Sequence, residues 1–166
     1  MSTRSPASNP SIQPIPSQSG STIRQAFLLE AILNLFSIPL ITNTRTTLSY
    51  LLLNPAHINP STILFARLFG GIVVGGLTSA LLAGYTNTRN GIESRRIVYL
   101  LLGMGELMLI PVLVIEATKG GGRDAALSVR ACVGSIMCLA PPLAWRVYVL
   151  GLRPDLLGKY REVKGE

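Results

Sequence analysis

Glu106 is the residue of this sequence best placed for acid–base chemistry. It lies near the middle of an apolar stretch, from Arg96 to Ala117, that is long enough to cross a lipid bilayer. A carboxylate at that depth is energetically costly unless it faces protein or water and has a partner. We therefore expect Glu106 to face the interior of a helical bundle.

A second set of polar residues lies on the first apolar segment, Gln25–Thr42. Glu30, Asn34 and Ser37 occupy positions i, i+4 and i+7, so a helix places them on one face. We expect this face also to turn inward. Glu106 would then hydrogen-bond Asn34 or hold a proton, because burial in apolar surroundings penalises the charged form of a carboxyl group.

The chemistry expected from this set is proton transfer inside a cavity that opens to lipid. Glu106 is the predicted acid, and Glu30 and Asn34 are predicted to assist it. Such a set could protonate an alkene or epoxide, or move a proton across a double bond, in a terpenoid, sterol or polyketide. We predict no cofactor and no metal site, and the sequence contains no GxSxG, HExxH or P-loop motif.

Three alternatives stay open at this point. Glu106 could hydrogen-bond across two helices and fix their packing without any catalysis. The protein could be a non-catalytic membrane scaffold or assembly partner, or it could be a small transporter or channel subunit. Glu106→Gln distinguishes a packing role or a scaffold from proton transfer, because the substitution keeps size and hydrogen bonding but removes the acidic proton.

A further group of charges is expected toward the far end of the bundle. At about 1.5 Å per helical residue, Arg67, Arg130 and Glu116 fall at similar depths in three different segments. We predict that Glu116 pairs with Arg67 or Arg130 in a structural charge cluster.

Small residues recur every four positions in the second apolar segment, Thr62–Tyr85. Gly71, Gly75 and Ser79 form one such row. Rows of this kind let two helix backbones approach closely in lipid. We therefore predict that these three residues pack against a neighbouring helix.

Composition and hydropathy predict an all-α integral membrane four-helix bundle. The chain is 48% hydrophobic and 14% charged, with a mean hydropathy of +0.44, which is too apolar for an ordinary soluble domain. The predicted membrane domain covers residues 23–152, with helices over about 25–42, 62–85, 96–117 and 125–150. Residues 1–22 are rich in Ser and Pro and are predicted to be a disordered tail, and residues 153–166 a polar, basic tail.

The net charge of +7 fits this topology better than it fits nucleic-acid binding, because the basic residues flank the apolar segments. The expected partners are the lipid bilayer, a lipophilic small molecule, and other membrane proteins or further copies of this chain. The expected location is the endoplasmic reticulum or another endomembrane.

Three stretches resemble a group of small fungal membrane proteins with four spans. They are LLEAILNLFSIPLI, the stretch from Asn59 to Gly71, and the block from Thr86 to Glu106. Some fungal membrane proteins of this size belong to secondary-metabolite gene clusters, so the resemblance implies natural-product chemistry. In layout alone the chain is also similar to sterol isomerases of the emopamil-binding-protein type and to membrane-bound terpene cyclases, which use buried acids.

The distribution of Lys and Arg predicts that both termini lie in the cytosol. Most of these residues fall in the two tails and in the loop between the second and third segments. A tag at either end should therefore survive protease added to sealed, right-side-out vesicles. Cleavage of either tag before the vesicles are permeabilised would contradict this orientation.

Overall fold

The computed structural model describes residues 11–122 and 124–163 of the chain, and its architecture is all-α. Four helical segments are long and apolar enough to cross a membrane. We call them the first to fourth spans, and they are Pro16–Thr42, Pro60–Tyr85, Arg89–Thr118 and Val129–Leu152. The four predicted helices are thus all present.

Seven α-helices and two short strands make up the described chain. The helices are α1 Ser21–Asn34, α2 Pro39–Thr42, α3 Thr44–Leu51, α4 Pro60–Gly71, α5 Thr78–Tyr85, α6 Arg89–Thr118 and α7 Val129–Val147. The strands are β1 Ser11–Pro14 and β2 Tyr160–Val163. Helices α1 and α2 belong to the first span, and α4 and α5 are joined by a π-helical segment, Ile72–Leu77, in the second.

Side-chain caps set where the long helices begin. The Thr88 hydroxyl accepts a hydrogen bond from the Gly91 amide at 3.1 Å, so α6 starts at Arg89 and not at Arg96 as the hydropathy alone predicts. The Ser128 hydroxyl accepts from the Ala131 amide at 3.2 Å, so α7 starts after it. The polar turn before each apolar stretch is therefore part of the helix or its cap.

The spans pack in chain order. Helix α1 lies against α5, α5 against α6, and α6 against α7, while α2 and α3 lie against α4 in the other half of the molecule. Helices α6 and α7 continue through Pro111 and through the pair Pro141 and Pro142. Each proline removes one amide donor, and the helical hydrogen bonds on both sides of it are kept.

The core is small and lies between α1, α5, α6 and the end of the fourth span. Ile23, Phe27, Leu81, Tyr99 and Val149 are almost completely buried there. The rings of Phe27 and Tyr99 meet edge to face with their centroids 4.8 Å apart. Most other large apolar side chains are exposed on the outside of the helices, which fits a lipid environment.

The described part of the N-terminal tail forms regular structure together with the described part of the C-terminal tail. β1 pairs with β2 in an antiparallel ribbon, and the Ile15 amide donates to the Lys159 carbonyl at 2.9 Å. The prediction of a disordered tail is therefore wrong for residues 11–22, because the partner strand comes from the other end of the chain. Residues 1–10, Arg123 and residues 164–166 lie outside the described residues.

Arg95 joins these tails to the helices. Its side chain is fully buried, and its Nε and Nη1 donate to the carbonyls of Gly84 and Leu157, each at 2.8 Å. Its Nη2 donates to the Thr86 carbonyl at 3.0 Å and to Asn87 Oδ1 at 2.9 Å. One guanidinium thus satisfies four acceptors from three parts of the chain.

The predicted glycine face does not pack within the monomer. Gly71, Gly75 and Ser79 are all exposed, and a Cβ added at Gly71 or Gly75 would meet no atom within 4 Å. The close helix contacts in this span lie instead at Gly70, where an added Cβ would come within 3.0 Å of Ile41 and Leu40, and at Gly84, where it would overlap the ring of Phe27. Hydropathy alone cannot distinguish the packed face of this span from its exposed face, because the whole surface of the helix is apolar.

Gly84→Ala should therefore lower the free energy of unfolding, by about 1–3 kcal/mol as expected for overpacking. Gly75→Ala is the matched control, and it should be neutral or slightly stabilising because Ala favours helix over Gly. Thermal unfolding in detergent micelles measures both. Equal losses in the two variants would contradict the packing described here.

Candidate functional site

Three charged side chains from three helices meet inside the bundle. Arg146 on α7 donates through Nη1 to Glu106 Oε1 on α6 and through Nη2 to Glu30 Oε2 on α1. We call Glu30, Arg146 and Glu106 the triad. Of the predicted catalytic residues, Glu30 and Glu106 are thus brought together, and the residue that joins them is Arg146.

The triad is buried. The exposed fraction of its side chains is 4% for Arg146, 11% for Glu106 and 15% for Glu30. Charges at this depth interact strongly with one another, because little solvent screens them. A change of charge on one member therefore acts directly on the other two.

Aromatic side chains lie on the side of the Arg146 guanidinium that faces the hydrophobic core. Arg146 Cζ lies 5.4 Å from the centre of the Tyr99 ring, within the range of a cation–π contact. Trp145, the single tryptophan of the chain, donates its indole N–H to the Tyr99 hydroxyl at 2.9 Å. The same Tyr99 ring contacts Phe27, so the triad rests on the hydrophobic core.

The triad has more negative than positive groups. When all three members are ionised, two carboxylates face one guanidinium, which leaves one net negative charge. Glu106 Oε2 and Arg146 Nε are buried and have no hydrogen-bond partner among the described residues. A buried, unpaired carboxylate oxygen is unfavourable, so the triad can accept one more proton or one more donor.

The triad opens into a cavity of about 510 Å³ between the first and fourth spans. Asn34, the third predicted catalytic residue, lines this cavity together with Glu30, Glu106 and Arg146. The remaining lining residues are Leu33, Phe36, Ser37, Cys138, Leu139 and Pro142. The structure therefore brings the three predicted residues to the wall of one cavity.

A larger, almost entirely apolar cavity adjoins the first. Its volume is about 750 Å³, and its walls come mainly from the second, third and fourth spans. Ser37, Cys138 and Leu139 line both cavities. The triad cavity therefore borders an apolar volume large enough for a small molecule.

Arg146 was the residue that sequence analysis missed as a partner. It lies near the end of the predicted fourth segment, so it looked like one of the basic residues that flank a span. The helical segment continues to Leu152, which places Arg146 more than one turn inside. An arginine followed by a further apolar run, VYVLGL, was the available signal.

The predicted charge cluster of Arg67, Arg130 and Glu116 does not form. Glu116 pairs with Lys119 and accepts hydrogen bonds from the amides of Ala126 and Leu127. The carboxylate thus closes the loop after α6, because the Lys119 ammonium and the two amides, three to eleven residues away along the chain, are nearer than the other helices.

The two predicted arginines of that cluster point elsewhere. Arg67 donates to the Thr44 hydroxyl at 3.2 Å. Both Arg67 and Arg130 are exposed, and neither forms an ion pair within residues 11–122 and 124–163. Equal depth along a helix therefore did not imply contact, since each helix can turn a residue outward.

No group of three or more His, Cys, Asp or Glu side chains in the described part of the chain could hold a metal ion. No protein-family model, curated protein or solved structure matches this chain.

Arg146→Gln should be strongly destabilising, by about 3–5 kcal/mol, because it leaves two buried carboxylates without their cation. Glu106→Gln should lower the free energy of unfolding by less, since Arg146 keeps its ion pair with Glu30. The control is Arg153→Gln, which breaks an exposed ion pair with Asp155 and should change stability little. Thermal unfolding in micelles ranks the three variants, and an Arg146→Gln loss no larger than that of Arg153→Gln would contradict the triad.

Proposed function

We propose that this chain is a multi-pass membrane protein that binds a lipophilic metabolite in the two joined cavities and transfers a proton to it from Glu106. The observation that carries the proposal is the buried triad at the end of an apolar cavity. The proposed setting is an endomembrane such as the endoplasmic reticulum, with both termini in the cytosol. The four apolar spans and their exposed apolar surfaces support a bilayer location.

The openings of the cavities favour a substrate dissolved in the bilayer. Phe36 lines the triad cavity with 78% of its surface exposed, and Val112 lines the apolar cavity with 61% exposed. Side chains that are exposed on the outer surface of a span face hydrocarbon. A lipophilic molecule could therefore enter sideways from the membrane, without first crossing water.

The charge balance of the triad supports acid chemistry. One added proton makes the group of two carboxyls and one guanidinium neutral, so the empty site has a proton to give. In an isomerisation, the π electrons of a substrate alkene form a C–H bond with that proton, and the Glu106 carboxylate keeps the O–H electron pair. The neighbouring carbon becomes cationic.

The second half of the reaction needs a base. Glu30, on the other side of Arg146, is placed to remove a proton from the next carbon, and the C–H electrons re-form the double bond one position along. Atoms and charge balance without a cofactor. The net negative charge left after the first transfer stabilises the cation between the two steps.

Isomerisation fits the site better than cyclisation does. Long cyclisation cascades use aromatic faces to stabilise successive cations. Among the described residues that line the triad cavity, Phe36 is the single aromatic side chain. A terpenoid, sterol or polyketide that shifts one double bond is therefore the proposed substrate.

A second candidate function is assembly with other membrane proteins. The row of Gly71, Gly75 and Ser79 is exposed on the outer surface of the second span, where a helix of another protein could approach closely. This candidate predicts that Gly75→Leu abolishes function while Glu106→Gln leaves it intact.

Metabolite extraction from the native host tests proton transfer. A deletion strain should accumulate a lipophilic precursor. Glu106→Gln expressed at the wild-type level should accumulate the same precursor, because it keeps the hydrogen bond to Arg146 but carries no acidic proton. Full rescue of the deletion by Glu106→Gln would instead make Glu106 a packing residue.

Filling the apolar cavity tests substrate binding separately. Gly134 lines that cavity, and a Cβ added there meets no atom within 4 Å, so Gly134→Leu should fill space without distorting the fold. It should cause precursor accumulation while leaving the thermal unfolding temperature near that of wild type. Gly105→Leu is the matched control, since Gly105 is equally uncrowded and lines neither cavity.

A further inference from the structure

The charge of the triad cavity bears on the kind of ligand that it can hold. Its described lining contains two carboxyl side chains, Glu30 and Glu106, and one basic side chain, Arg146. The other buried cation among the described residues is Arg95, which lies three turns before Glu106 on α6. Its guanidinium donates to three backbone carbonyls and to the Asn87 side chain. No second cation therefore balances the second carboxylate.

The free hydrogen-bonding groups of the triad include an acceptor suited to such a donor. Glu106 is buried, and its Oε2 is an unpartnered acceptor at the end of the cavity, while Arg146 Nε is an unpartnered donor. The Asn34 side chain also lines the cavity, and its amide offers both a carbonyl oxygen and an NH2 group. A donor that carries a positive charge would satisfy the unpartnered oxygen and cancel the excess charge at the same time.

The rest of the joined site excludes water-soluble cations. The larger cavity is lined almost wholly by apolar groups, among them Leu109, Val112 and Leu113. A ligand that fills both cavities must therefore be apolar along most of its length and polar at one end. The residues common to the two cavities, Ser37, Cys138 and Leu139, mark the point where the two parts of the ligand would join.

From these observations we infer that the site selects elongated lipophilic molecules that carry one positive charge at one end, such as a protonated long-chain amine. The ammonium group lies against Glu106 Oε2 and replaces the proton of the empty triad, and the apolar body lies in the larger cavity. This inference rests on the proposed binding of a lipophilic molecule in the joined cavities, and it names a class of ligand that holds Glu106 ionised and so prevents the proposed proton transfer.

The thiol of Cys138 provides a readout of occupancy that does not depend on activity. Cys138 is exposed and lines both cavities, whereas Cys132, the other cysteine, is buried. A ligand in the joined site should slow the alkylation of Cys138 by a neutral maleimide. Cys138→Ser measures any background labelling of the wild-type chain.

The probes are hexadecylamine, hexadecanol and hexadecanoate, which share one tail and differ in head-group charge. Each is added at the same mole fraction to the full-length protein in phosphatidylcholine nanodiscs at neutral pH. We expect half-protection of Cys138 at about tenfold less amine than alcohol, as for one charge-assisted hydrogen bond. Hexadecanoate should protect least.

Glu106→Gln should remove the preference. It leaves one carboxylate opposite Arg146, so the amine and the alcohol should then protect at similar concentrations. The matched control is Glu93→Gln on the same helix, which changes the protein's net charge equally but lies outside both cavities, in an exposed ion pair with Arg89. That variant should keep the wild-type preference.

Three outcomes would overturn the inference, and they are distinguishable. If the three probes protect Cys138 equally and Gly134→Leu abolishes the protection, lipophile binding stands but the preference for a cation is wrong. If none of the probes protects Cys138, the proposed binding of a lipophilic metabolite fails as well. Retention of the amine preference in Glu106→Gln would also contradict the inference, because the excess charge would not be its cause.

Discussion

The ion pairs of Arg146 are the interaction on which the rest of this structure depends. A guanidinium inside an apolar bundle is stable only when anionic or carbonyl partners surround it. Arg146 obtains them from Glu106 on α6 and Glu30 on α1, so the first, third and fourth spans must meet at this level. The electrostatic requirement therefore determines which helix faces turn inward where the surfaces are otherwise uniformly apolar.

The two buried arginines illustrate how environment separates a structural from a functional role. Arg95 donates to three backbone carbonyls and to the Asn87 side chain, and these bonds join the C-terminal tail to α5 and α6. Arg146 is held by carboxylates, and the group keeps an unpartnered oxygen on Glu106. The first arrangement stabilises the fold, while the second can exchange a proton or bind a donor.

The position of the triad also explains the shape of the candidate site. Tyr99, which accepts a hydrogen bond from Trp145, contacts Arg146 on the core side, and all three members of the triad line the cavity between the first and fourth spans. There the lining becomes apolar beyond Ser37 and Cys138. A polar group at one end and an apolar volume beyond it is the arrangement that orients an amphiphilic molecule in one direction.

The sequence by itself determined the four apolar helices, since length and hydropathy are properties of each segment alone. It also determined that Glu106, Glu30 and Asn34 turn inward, because a buried carboxyl or amide in an apolar helix needs a protein partner. Only the tertiary structure decided that Arg146 is the partner of the two carboxyl groups. It also decided that Arg67, Arg130 and the row of Gly71, Gly75 and Ser79 face outward. The rotation of each helix about its axis and the pairing of β1 with β2 depend on contacts between distant segments, and no local pattern encodes these.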